Sequence, residues 1–172
     1  MVFLIVTRSL LAVFLVMSAV WDIRKRRVPN RLSLAVGVTG LVAILGSEGW
    51  VSALSGLGAA AVILALLWFP WSKGRIGGGD VKLTAAAAIS AEIAQLPWFL
   101  LGTAVIGGML SAVCYLLSSR EARREMTVNF KLVAAGVLPE PPLRSGRGRI
   151  SVPYSVASAA MALVILFAAK GW

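Results

Sequence analysis

Apolar runs of roughly 15–20 residues recur along the whole chain, long enough to approach or cross a hydrocarbon core of about 30 Å. No other feature restricts the fold as much. Inside a bilayer the backbone N–H and C=O groups find no water, so each run must satisfy them internally as a helix. Six spans fit the pattern: Phe3–Val20, Leu32–Leu45, Trp50–Trp68, Asp80–Leu96, Trp98–Leu117 and Val152–Ala169. The second is short and the fourth is rich in alanine. The expected fold is all-α, a polytopic membrane helix bundle of about six transmembrane helices, forming one membrane-embedded domain over residues 1–172. The first run shows no small-residue cleavage site ahead of the charged segment, so it reads as a retained span.

Charge orients the bundle. The chain has 17 Lys and Arg against 7 Asp and Glu, a net charge of +10. Such a balance can mark a nucleic-acid surface, but here its distribution speaks for a membrane and against nucleic acid. Arg24, Lys25, Arg26, Arg27 and Arg31 follow the first span, and Lys73, Arg75 and Lys82 surround the third loop. Arg120, Arg123, Arg124, Lys131, Arg144, Arg147 and Arg149 fill the fifth loop, leaving Arg8 and Lys170 for the opposite side. The positive-inside rule puts the basic loops in the cytoplasm and both termini outside. Trp21, Trp50, Trp68, Trp71, Trp98 and Trp172 all fall at proposed span ends, where an aromatic belt belongs.

The cytoplasmic loop, residues 118–150, carries Met126, Phe130, Val133 and Val137 at the spacing of one helical face. With Arg120, Arg123, Arg124 and Lys131 beside them, they suggest a basic amphipathic helix on the inner leaflet. A loop helix packed against the spans fits the pattern equally well. Pro139, Pro141 and Pro142 end it, and a Ser-Gly-Arg stretch follows.

Absences narrow the chemistry. Without histidine there is neither imidazole catalysis nor histidine metal ligation. The one cysteine, Cys114, lies within an apolar run and can form neither a CxxC zinc site nor an internal disulfide. No metal and no cofactor is expected. Asp22 and Asp80 are the only aspartates, and both fall at the cytoplasmic edge of the expected bundle. Singly, Asp22 reads equally as an interfacial residue neutralised by its arginines, and Asp80 as an acid favoured at a helix start. As a pair they suit acid–base catalysis. Two carboxylates held close share one proton; the ionised partner takes a proton from water and the protonated one bonds a scissile carbonyl. Gly77, Gly78 and Gly79 would let a substrate strand approach closely, or form a plain turn.

The segment Gly77-Gly78-Gly79-Asp80-Val81-Lys82-Leu83 resembles the GxGD signature of membrane aspartic proteases, in the GxGDxKL form of the type IV prepilin peptidases. Asp22-Ile23-Arg24-Lys25-Arg26-Arg27-Val28-Pro29-Asn30 is similar to that family's other motif, with Val28 in place of the commoner isoleucine. Val152-Pro153-Tyr154 resembles a further family feature, Ile-Pro-Tyr. The resemblance implies that Asp22 and Asp80 are catalytic in an aspartic endopeptidase. Such an enzyme removes the short basic leader from prepilins or pseudopilins at the cytoplasmic face of the cytoplasmic membrane. Larger relatives carry a domain with paired CxxC motifs associated with N-methylation. This sequence has neither, and resembles the small members serving tight-adherence (Flp-type) pili, so methyltransferase activity is not expected. Lys82 either acts on Asp80 or simply obeys the positive-inside rule, while Pro29 and Asn30 are expected to start the second span. Two alternatives stand beside this reading. One is a GxGD protease acting on other membrane helices. The other is a non-catalytic scaffold or small transporter, whose site should lie nearer the midplane.

Overall fold

The computed structural model describes residues 2–25, 28–137 and 154–168. Among these residues the chain is all helical: α1 (Val2–Lys25), α2 (Asn30–Glu48), α3 (Trp50–Ser72), α4 (Gly78–Ala88), a 3₁₀ turn (Ile89–Ala91), α5 (Glu92–Leu117), α6 (Arg120–Ala134) and α7 (Tyr154–Ala168). Four segments are long and apolar enough to cross a membrane: α1, α2, α3 and the run Gly78–Leu117, which includes α5. Helix α7 is apolar but shorter, at 15 residues.

The bundle is apolar outside and finely packed inside. Leu54, Leu57, Leu66, Leu101, Val105 and Met109 are exposed on its flanks, where lipid replaces water. Its interior is built largely from small residues. Ala59, Ala88, Ala157, Ala159, Ala162, Ser155 and Ser158 are essentially inaccessible, interleaved with Leu11, Leu15, Ile63 and Phe99. Lipid tails are as apolar as leucine, so helices in a membrane associate through close backbone approach, which small residues permit. This explains the alanines of α4: the helix lies in the middle, packed on α2, α3 and α7. Larger side chains there would push three neighbours away.

The turn between the fourth and fifth helices lies at Ile89–Ala91, earlier than the sequence pattern around Leu96–Pro97 predicts. Contacts from α3 set its position. Gly56 lets the Ile89 carbonyl approach so closely that a Cβ there would sit 2.6 Å from the oxygen. Ser55 Oγ accepts the Ile93 N–H at 3.1 Å, capping the first turn of α5. Glu92 adopts φ +55 to make the corner. Pro97 is carried inside α5, near its start, and removes only the one bond its N–H would have made.

Helix α6 buries none of its residues. It hangs from the end of α5, where Arg123 donates to the carbonyls of Leu116 at 2.7 Å and Ser118 at 3.0 Å. Its apolar face is uncovered: Phe130 is 75% exposed, and Val133 and Val137 are exposed too. Val137 lies just past the helix, in the closing turn that Gly136 makes at φ +75. Among the described residues α6 touches the bundle along the end of α5, where Tyr115 Oη and Thr127 Oγ1 are 3.3 Å apart. Arg26, Arg27, Pro139, Pro141, Pro142, Arg144, Arg147, Arg149, Val152, Pro153, Lys170 and Trp172 lie outside the described residues.

Candidate active site

Asp22 belongs to the inward face of α1. The buried residues of that helix are Thr7, Leu11, Leu15, Ser18 and Asp22, at steps of three and four that trace one stripe. The helix continues to Lys25 rather than ending at Val20, so the carboxylate is carried on this stripe and is only 4% exposed. A buried carboxylate needs a donor. Ser155, at the start of α7 and fully buried, supplies one: its hydroxyl donates to Asp22 Oδ2.

Asp80 is the third residue of α4 and half-buried. Its side chain folds back over the helix start, so that a Cβ on Gly77 would sit 3.0 Å from Oδ2. An acid in the first turn also faces the positive end of the helix dipole. The Ser155 backbone N–H and the Asp22 carboxylate are both near enough to act electrostatically on the Asp80 carboxylate. Two aspartates from helices separated by α2 and α3 thus meet at one end of the bundle, with the start of α7 against both.

The other expected site residues lock this end together. Gly78 packs against Trp71, whose Nε1 would be 3.0 Å from an added Cβ. Gly79 packs against the backbone of Val28, both N and O lying 3.3 Å from where its Cβ would be. Lys82 donates from Nζ to Asn30 Oδ1 at 3.1 Å, joining α4 to α2. It leaves the opposite side of α4 from its near neighbour Asp80, since residues two apart on a helix do not face each other. Pro29 precedes α2 as its N-cap residue, and its carbonyl accepts the N–H of Leu32 at 3.0 Å. Among the described residues no cluster of three or more His, Cys, Asp or Glu is placed to hold a metal.

The model of the type IV leader peptidase family matches residues 9–112. The chain belongs to that family. The matched stretch takes in Asp22, Pro29, Asn30, Gly77, Gly78, Gly79, Asp80 and Lys82, and therefore two of the three motifs of the sequence resemblance; Val152-Pro153-Tyr154 lies beyond it. Membership implies a membrane-embedded leader peptidase, and it favours that reading over a scaffold, a transporter or another GxGD protease. Comparison with curated proteins and with solved structures gives no match. Helix α7 lies beyond the matched stretch, so Ser155 comes from the structure alone. Sequence reasoning passed over it as one of many small residues in an apolar run. The available signal was its place two residues after Pro153, at a helix start where a donor is left unpaired.

Proposed function

We propose that this leader peptidase is an aspartic endopeptidase in which Asp22 and Asp80 form the catalytic pair. It removes the short basic leader of prepilins or pseudopilins, of the tight-adherence type, at the cytoplasmic face of the cytoplasmic membrane. The observation that carries the reading is the meeting of these two carboxylates, the only aspartates of the chain, at one end of a membrane bundle. With one proton between them, one carboxylate takes a proton from water while the other donates a hydrogen bond to the scissile carbonyl. The water oxygen then bonds the carbonyl carbon, and collapse of the tetrahedral species breaks the C–N bond as the proton passes to the leaving amine. Asp22 is enclosed while Asp80 is half-open, so substrate reaches the pair from the Asp80 side.

Orientation follows from charge. Arg24, Lys25, Arg31, Lys73, Arg75 and Lys82 cluster around the helix ends that carry the aspartates, the end the positive-inside rule assigns to the cytoplasm. In the same reading α6 lies on the inner leaflet, its uncovered Phe130 and Val133 in lipid and its arginines at anionic headgroups. The full count of six crossings adds α4 and α7 to the longer helices.

The test is cleavage of a co-expressed prepilin. Asp22→Asn and Asp80→Asn should each reduce processing by about 10³-fold or more, within the range of acid–base catalysis, while insertion stays at the wild-type level. Substantial processing by either variant would overturn the pair.

A further inference from the structure

Ser155 is the residue on which the two halves of the site converge, and it lies outside the matched family segment. Its surroundings are unusual for a membrane serine. Ser18, Thr39, Ser47 and Ser111 spend their hydroxyls on a carbonyl one turn back in their own helix. Ser158, one turn further along α7 and equally buried, does the same, donating to the Ser155 carbonyl at 3.0 Å. Ser155 instead reaches across the bundle, over 133 residues of sequence, to a buried carboxylate.

The placement of α7 makes this possible. It packs along α1, α4 and α5, so its first turn is wedged between the end of α1 and the start of α4. At a helix start the first N–H groups have no intrahelical acceptor. The Ser155 N–H is therefore free to act on nearby Asp80 while the hydroxyl donates to Asp22.

We propose that Ser155 is a positioning residue for the leader-peptidase reaction, its hydroxyl fixing the Asp22 carboxylate through Oδ2 so that the other oxygen is presented toward Asp80 and the attacking water. The inference rests on the aspartic-pair reading. It goes beyond that reading in naming a third residue, contributed by the last helix, without which the pair is present but out of register. Enclosed as it is, Asp22 has no solvent to hold it in place. A hydrogen bond to a charged group strengthens a held geometry far more than a neutral one does. The hydroxyl acts on the reacting geometry, not on substrate capture, so its loss belongs in kcat.

The experiment uses the full chain, purified in detergent. Its probe is a synthetic peptide with a basic leader, a glycine and about 20 apolar residues, a span-length segment. Ser155→Ala should lower kcat roughly 10- to 100-fold, the range for one bond to a charged group, with KM within about twofold of wild type. Ser158→Ala removes an equally buried hydroxyl from the same helix and should keep near wild-type kcat, with thermal unfolding of both variants alike. Equal kcat for the two serine variants would overturn the proposal, as would a rise in KM without loss of kcat at Ser155→Ala. Asp22→Asn and Asp80→Asn are assayed beside them. If either retains turnover, the aspartic pair itself fails; if both are dead while Ser155→Ala is fully active, only the positioning role fails.

Discussion

A methyl group on Gly79 would stand 3.3 Å from both backbone atoms N and O of Val28, and neither can rotate away as a side chain would. The first turn of α4 and the segment before α2 therefore touch main chain to main chain at this point. Gly79→Ala forces them apart and should destabilise the protein by about 1–3 kcal/mol, as overpacking does. It should also reduce processing, because Asp80 moves with its helix. Gly108→Ala is the matched control: nothing lies within 4 Å of its added methyl, and alanine suits a helix interior better than glycine. Thermal unfolding in detergent and prepilin processing, measured on both variants, check this; equal behaviour would refute the main-chain contact. At this scale the sequence was uneven. Asp22 and Asp80 stood out because a carboxylate is costly in an apolar chain and these were the only two aspartates. The glycines were visible but ambiguous between a substrate slot and a turn; they turn out to be contact surfaces for Asp80, Trp71 and Val28. Ser155 could not be told from Ser158, since only the bundle decides which serine meets a carboxylate.

Elements show where local pattern stops being informative. Apolar length was enough to find α1, α2, α3 and α5, because lipid demands helix wherever the chain is apolar. The corner between α4 and α5 was misplaced because the apolar pattern offers no break before Leu96. In fact Ser55 and Gly56, more than thirty residues earlier, hold the backbone at Ile89–Ile93. The amphipathic face of α6 was read from spacing alone, and that Phe130 and Val133 stay exposed on it is new. If that face meets anionic lipid, a polarity-sensitive dye on Phe130→Cys, in a Cys114→Ser background, should emit further to the blue in vesicles containing phosphatidylglycerol than in phosphatidylcholine alone. High salt should reduce the difference, since the Debye length shrinks to about 3 Å at 1 M. Identical emission in both lipids would exclude a headgroup contribution.

For the whole molecule, the proposed orientation makes a two-sided prediction. Arg75 lies between α3 and α4 at the aspartate end, whereas Trp50 opens α3 at the other. In the same Cys114→Ser background, Arg75→Cys should react with an impermeant maleimide only in inside-out vesicles, and Trp50→Cys only in intact spheroplasts. The reverse pattern would place the aspartates outside and end the prepilin reading. That all-helical bundle and its charge asymmetry were legible in composition, because both are dictated by the solvent. The packing order was not, since the alanines that bring α4 to the centre look from the sequence like weak hydrophobicity. The early corner after α4 has one more consequence. Together the 11 residues of α4 and the three of the turn rise only about 22 Å, well short of a hydrocarbon layer of about 30 Å. Beyond Ala91 the remaining depth of the bundle above the aspartates is therefore filled by the helices that surround α4 and its turn, and not by α4 itself. The helix that carries Asp80 is thus held at its far end by protein contacts alone, and substitutions at Ser55 or Gly56 reach the aspartate through it.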